Sequence, residues 1–139
     1  PLRYIHRNLD RNLLARLYRR ARVGIVTPFA DGMNLVAKEY VAAQNPEDPG
    51  VLILSHMAGA AEDLTDAIQV NPYDIEDMSE ALKTALALPL EERKRRHASC
   101  MAQVRATDVN LWSQHFVDAL KACKPTLVVK PRAREWTDA

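Results

Sequence analysis

Asp31, Gly32 and Glu39 are the residues of this 139-residue chain whose types and spacing point to chemistry. The pair Asp31-Gly32 follows a compact apolar run at residues 23–27, closed by Pro28, and a helix is expected to open at about Asn34. The first N–H groups of a helix have no partner inside it, and the helix dipole presents partial positive charge there. Such an end is a ready anion site, suited to a diphosphate. Leu35 and Val36, in the first turn, would offer N–H groups, and their apolar side chains leave those amides free. Gly32 either lets ligand and backbone approach closely or lets the chain take a positive φ. Glu39 lies one turn beyond Leu35, because a helix brings i and i+4 to one face. A carboxylate there can accept from both hydroxyls of a ribose, and Asp31, at the loop edge, can accept from sugar hydroxyls. A purely structural reading stays open on these residues alone. An Asp-Gly before a helix also makes a capped turn, and an acid in an early helical turn also complements the dipole.

Other chemistries find less support. The glycines are Gly24, Gly32, Gly50 and Gly59; no two are spaced G-x-G and none precedes Lys-Ser or Lys-Thr. That removes the dinucleotide fingerprint and the Walker-type phosphate loop. Cys100 and Cys123 lack CxxC spacing, and His6, His56, His97 and His115 share no ligand spacing with them or with each other, so no metal is expected. Both cysteines read as inert helix residues in a reducing cytoplasm. With 19 Lys+Arg against 18 Asp+Glu, the formal charge of +1 argues against a domain that grips nucleic acid through its phosphates. No apolar run approaches the roughly 20 residues of a membrane span, so no membrane partner is expected.

The elements that must position these residues follow from pattern. Residues 2–6 read as a short strand. Asp10 caps a helix to about Ala21, with Leu13, Leu14, Leu17 and Tyr18 on one face. Residues 23–27 read as a buried strand, residues 34–44 as a helix, 45–50 as a breaker, and 51–55 as a second strand. Ala58-Gly59-Ala60-Ala61 opens a short helical turn, and residues 67–70 form a third strand. Asp74 caps a helix whose core face is Met78, Leu82, Ala85 and Leu86, ended by Pro89. Helices follow at about residues 91–106 and 110–122, and Lys124 onward reads as a tail with an apolar patch at Leu127-Val128-Val129. Alternating strands and helices imply an α/β fold, a Rossmann-like parallel sheet flanked by helices on both faces. Ligands of such sheets bind outside the carboxyl ends of the strands, which directs attention to the loops after Val26 and Leu54.

The two acids bracketing a helix start resemble the paired acidic motif of retaining nucleotide-sugar glycosyltransferases. The whole run from Val26 to Ala42, with Thr27-Pro28-Phe29-Ala30-Asp31-Gly32-Met33-Asn34-Leu35-Val36-Ala37-Lys38-Glu39-Tyr40 at its heart, resembles the signature of trehalose-6-phosphate synthases. Residues 10–21, 49–55, 58–61, 70–74 and the Trp112/Phe116 helix fit that family in order, so the resemblance covers roughly residues 1–123. It implies the C-terminal half of a two-domain glycosyltransferase, with residues 1–123 a partial nucleotide-sugar-binding domain. The donor would be UDP-glucose. The acceptor would be glucose 6-phosphate, held by an N-terminal domain outside these residues, and the product of retaining transfer α,α-trehalose 6-phosphate. By resemblance, Asp31 contacts a donor-glucose hydroxyl, and the backbone of Gly32, Met33 and Asn34 lines the same sugar. The amides of Leu35 and Val36 hold the diphosphate, Glu39 the ribose, and Leu9 and Leu14 flank the nucleobase. No cofactor or metal is implied, and no residue of this chain is a catalyst in its own right. The acceptor hydroxyl attacks from the face the diphosphate leaves, and a departing phosphate oxygen takes its proton. The basic pair that clamps the donor phosphates lies upstream in the family. These 139 residues by themselves are therefore expected to bind UDP weakly and to transfer nothing. A relative using another phosphorylated acceptor, such as glycerol phosphate or a cyclitol phosphate, and a non-catalytic regulatory paralogue are the alternatives. Oligomeric state, including a homo-oligomer, stays open.

The remaining features read as structural. Arg93-Lys94-Arg95-Arg96-His97 is the one basic cluster, but Glu91 and Glu92 stand four residues before Arg95 and Arg96, which is ion pairing on a wet helix face. Lys38 is expected to point away from Glu39, since adjacent helical residues diverge by about 100°. Tyr40, Trp112 and Phe116 read as core anchors, with a domain-bridging role the sharper alternative for the last two. His56 stands on a site-side loop as a bystander.

Overall fold

A computed structural model of the protein describes residues 2–107 and 109–123. The chain forms two compact units, Pro1–Ala106 and Thr107–Ala139. The first holds helix α1 (Arg11–Arg20), strand β1 (Val23–Val26), α2 (Leu35–Ala43), β2 (Val51–Ser55), α3 (Ala60–Asp63), β3 (Ile68–Val70), α4 (Ile75–Ala87) and α5 (Leu90–Ala106). The second contributes α6 (Val109–Ala122), in which Trp112 and Phe116 stack with centroids 5.5 Å apart. The tail patch at Leu127-Val128-Val129 lies outside the described residues.

The three strands form one parallel sheet in the order β1-β2-β3, with Ile25 opposite Ile53 and Leu54 opposite Gln69. Every residue of β2 is buried, as a central strand covered on both faces requires. Its side chains alternate between two cores. Leu52 and Leu54 pack with Ala37, Tyr40 and Val41 of α2 and with Cys100 of α5. Val51 and Ile53 pack with Ala81 and Ala85 of α4. Helices therefore cover both faces, as the strand-helix alternation predicts.

Tyr40 ties the first core to the sheet. Its ring lies against Gly24 of β1, where an added Cβ would come within 2.7–2.9 Å of three ring atoms. Its hydroxyl donates to the Ala21 carbonyl at 3.0 Å and leaves no room for a side chain at Gly50. These two glycines are thus needed for space, not for backbone freedom.

Some sequence expectations need correction. Residues 2–6 form no strand. Leu86 is exposed rather than on the core face of α4, because that face narrows to the stripe Ala81 and Ala85, with Met78 and Leu82 partly buried. The basic cluster is not all wet face. Arg93 is only 4% exposed; it donates to Asp48 Oδ1 at 2.7 Å and to the Pro49 carbonyl, pinning α5 to the turn before β2. Its neighbours are paired as well. Glu92, rather than Glu91, takes both Arg95 and Arg96 at 2.8 Å, Lys94 reaches Glu47 at 3.2 Å, and Arg95 also reaches Asp66 at 3.0 Å.

Candidate functional site

The loops at the carboxyl ends of the strands are stitched together. The Asp31 N–H donates to the Met57 carbonyl at 3.3 Å, the Gly59 N–H to the Asp31 carbonyl at 2.9 Å, and the Ala60 N–H to the Met33 carbonyl at 2.9 Å. Asp31 and Ala58 form an isolated parallel bridge. Phe29, after β1, stacks on Tyr73, after β3, with centroids 4.7 Å apart. Three successive strands thus deliver one loop cluster, at the edge where parallel sheets bind ligands.

The Asp31 carboxylate organises the turn. Its Oδ1 accepts from the N–H groups of Met33 at 3.1 Å and Asn34 at 3.0 Å, and its Oδ2 from the Asn34 side-chain amide at 3.1 Å. A carboxylate has about four acceptor sites, so one remains for a further hydroxyl. Asp31 itself is exposed. Its capped-turn role is therefore real, and it leaves room for a ligand.

Asn34 is the N-cap of α2, and its Oδ1 accepts from the Ala37 N–H at 2.9 Å. It takes φ of 65°, the left-handed region that Asn tolerates better than most side chains. Of the two roles open to Gly32, the positive φ therefore falls to Asn34 instead. A Cβ on Gly32 would meet nothing within 4 Å, so that backbone faces open space. Asp31 and Asn34 between them satisfy the N–H groups of Met33, Asn34 and Ala37. Leu35 and Val36, both exposed, stand at the tip with amides that neither cap reaches. The helix behind them is nine residues long and carries its dipole to that point.

A cleft of about 460 Å³ runs between α1 and α2, lined by Arg11, Leu14, Ala15, Tyr18, Glu39, Ala42 and Ala43. Each wall is one helix face, with spacings of three or four residues. Glu39 and Leu14, singled out from sequence, meet here. Leu9, half-buried just before the Asp10 cap, does not line the cleft. Asp10 anchors the start of α1 through the N–H groups of Asn12 at 2.9 Å and Leu13 at 3.2 Å. Burial first, then the Glu39 carboxylate, pushes the Tyr18 hydroxyl above its ordinary value, which keeps it a neutral donor.

Arg11 and Tyr18 were not expected as lining residues. Tyr18 reads from periodicity only as part of one helix face with Leu13, Leu14 and Leu17, and Arg11 carries no motif; only the i, i+4, i+7 spacing of 11, 15 and 18 hints at a shared face. Lys38 points away from the cleft and pairs with Asp63 of α3 at 2.8 Å. His56 is exposed, and its backbone N–H donates to the Val70 carbonyl at 3.1 Å. Cys100 is buried, and burial with the nearby Asp66 charge pushes its thiol up to about 11, which makes it a poor nucleophile. Among the described residues no cluster of His, Cys, Asp or Glu suited to a metal ion is found, and no helix is long and apolar enough to cross a membrane.

Comparison with known proteins gives a consistent match. Residues 1–122 match glycosyltransferase family 20. A trehalose-6-phosphate synthase from Enterobacter sp. (strain 638) is 53% identical over 128 residues, which are 92% of this chain and 27% of that protein. An E. coli trehalose-6-phosphate protein solved with UDP-2-fluoro glucose bound superposes with a TM-score of 0.83 at 50% identity, covering 89% of this chain and 28% of that one. A UDP-forming α,α-trehalose-phosphate synthase from Burkholderia xenovorans, in complex with glucose-6-phosphate, does so with a TM-score of 0.81 at 55% identity, covering 85% and 26%. The chain thus spans about 27% of the length of the curated relative. With its signature loop, its parallel sheet and nearly all its described length matched together, this chain belongs to glycosyltransferase family 20.

Proposed function

We propose that this chain is the donor-binding part, from the C-terminal half, of a longer trehalose-6-phosphate synthase. In that reading the enzyme moves glucose from UDP-glucose to glucose 6-phosphate with retention and forms α,α-trehalose 6-phosphate. Residues 1–123 serve as the nucleotide-sugar domain, residues 124–139 as a tail, and the setting is the cytoplasm. One observation carries the reading. The cleft sets Glu39 across from Leu14, one helical turn, or about 6 Å of axis, beyond the uncapped amides of Leu35 and Val36. That is the reach between a ribose and its diphosphate.

The roles follow. Leu14, with Leu9 before it, flanks the nucleobase, and Glu39 accepts from the ribose hydroxyls. The amides of Leu35 and Val36 receive the diphosphate at the positive end of α2. The remaining acceptor site of Asp31 and the backbone of the turn Gly32, Met33 and Asn34, which is open at Gly32, face the donor glucose. As the bond to the anomeric carbon breaks, negative charge grows on the diphosphate, and fixed amide dipoles aimed there lower the barrier without a protein nucleophile. The acceptor hydroxyl attacks on the same face and passes its proton to the departing phosphate oxygen. The acceptor pocket and the basic clamp on the phosphates belong to the upstream domain. The 139 residues alone therefore bind UDP weakly and do not transfer glucose.

The test is Glu39→Ala in the full-length enzyme, followed by UDP titration. A loss of about tenfold or more is expected for removing a charged acceptor from two hydroxyls. Unchanged affinity would return Glu39 to a purely structural role.

A further inference from the structure

A second groove, of about 570 Å³, lies at the far end of α1 from the Asp10 cap, and Arg16, Arg19, Arg20, Arg22, Asn45 and Asp48 line it. Arg22 immediately precedes β1, and Gly50, also on its wall, immediately precedes β2. The groove therefore sits at the amino ends of the strands, whereas the donor loops leave their carboxyl ends.

Its charge is one-sided. Four guanidinium groups face one carboxylate, and that carboxylate is already shared by Arg22 at 3.3 Å and Arg93 at 2.7 Å. The Gln44 amide is also occupied, donating to the Tyr18 carbonyl at 2.5 Å and accepting from the Gly50 N–H at 2.7 Å. Arg16 and Arg20 are exposed and have no hydrogen-bond or ion-pair partner among the described residues. The carboxyl-end dipole of α1 accounts for cations at Arg19 and Arg20. It does not account for Arg16, a turn earlier, or for Arg22, beyond the helix. In a chain of net charge +1, such a concentration stands out. Arginine offers only donors, in a planar fork that fits phosphoryl oxygens two at a time. The groove thus presents donors without a free carboxylate, and its like charges repel one another until an anion fills it.

We propose that this groove binds a compact polyanion carrying two or more phosphoryl groups, at a site separate from the nucleotide cleft. A nucleic-acid backbone fits less well, because the chain has no basic surplus beyond the groove to follow one.

The experiment titrates inorganic tripolyphosphate by calorimetry into the intact protein saturated with UDP, beside the R16Q/R20Q double variant. Both side chains are exposed and unpaired, so the variant keeps its fold, which an unchanged UDP affinity checks. The wild type is expected to take up tripolyphosphate despite the UDP. The variant should bind it about tenfold or more weakly, for the loss of two charge-assisted contacts. No uptake by the UDP-saturated protein, equal affinity in the variant, or equally good binding of sulfate would each overturn the proposal. Should the protein bind no UDP at all, the donor reading fails alone, and the comparison of wild type with variant still decides this one.

Discussion

Gly59 lies so close under Gly32 that any β-carbon on it would overlap the Gly32 carbonyl oxygen. The contact joins the loop after β2 to the acidic turn after β1, and the hydrogen bonds from Gly59 and Ala60 to Asp31 and Met33 run beside it. The acidic turn is therefore held from outside its own segment.

Gly59→Ala should act on function more than on fold. The new methyl must push the two loops apart, at about 1–3 kcal/mol of stability. The same shift displaces the Asp31 turn from the tip of α2. UDP-glucose affinity of the full-length enzyme should drop further than chemical denaturation of the same variant would suggest. Equal, small effects on both would mean that the turn does not depend on this contact.

Asn34 combines a left-handed backbone with a cap, and two substitutions separate these. Asn34→Ala loses the bonds to the Ala37 N–H and to Asp31 Oδ2 and keeps a β-carbon at φ of 65° without the side-chain amide that makes this backbone tolerable for Asn; the cost should be about 2 kcal/mol. Asn34→Gly loses the same two bonds but takes the β-carbon off the left-handed backbone, and should be milder. Urea denaturation would rank them, and the reverse order would show that the backbone conformation contributes nothing.

These two residues also show where sequence reading stops. β2 was legible because four consecutive apolar residues and a serine, between breakers, are too short for a helix and fit a strand covered on both faces. The Asp10 and Asp74 caps were legible because a cap works through its own next residues. The left-handed residue was not, since Gly32 is the better candidate by type, and the choice of Asn34 depends on how Asp31 folds back on it. Arg93 was misread for a similar reason. Its partner Asp48 stands 45 residues away, and no local pattern announces a pair brought together by the sheet. In the cleft, Glu39 was legible from its distance to the helix start, whereas Tyr18 and Arg11 enter only through the packing of α1 on α2.

Acid should weaken α5 itself, through Glu92, and its attachment to the turn before β2, through Asp48. Arg95 first, and Arg96 with it, lowers the Glu92 carboxyl from 4.5 to about 2. Arg93, helped by Arg22, likewise holds Asp48 below the ordinary carboxylate range. A depressed carboxylate contributes stability that is complete above its unfolded value and lost as pH falls through the folded one. For Glu92 that window runs from 4.5 down to about 2. Glu92→Gln should lower the thermal midpoint at neutral pH and flatten its decline in that window. An unaltered profile would mean that the exposed pairs contribute nothing measurable.

Alkali should act through Tyr40. Burial pushes its hydroxyl from 10.0 up to about 12, so folding favours the neutral phenol. That contribution is complete below pH 10 and is lost as pH rises through about 12. Tyr40→Phe should cost about 1 kcal/mol at neutral pH, for the bond to Ala21, and make the alkaline loss of stability shallower. Denaturation curves at neutral and alkaline pH would test both parts.

The same phenol has an evolutionary consequence. One ring touching β1 at Gly24 and one hydroxyl filling the space above Gly50 make three distant positions a single steric unit. A lineage that shrinks the aromatic opens two vacancies at once, and a lineage that enlarges either glycine must first shrink the aromatic. Drift at this corner should therefore proceed in coordinated steps, with the three letters changing together or not at all.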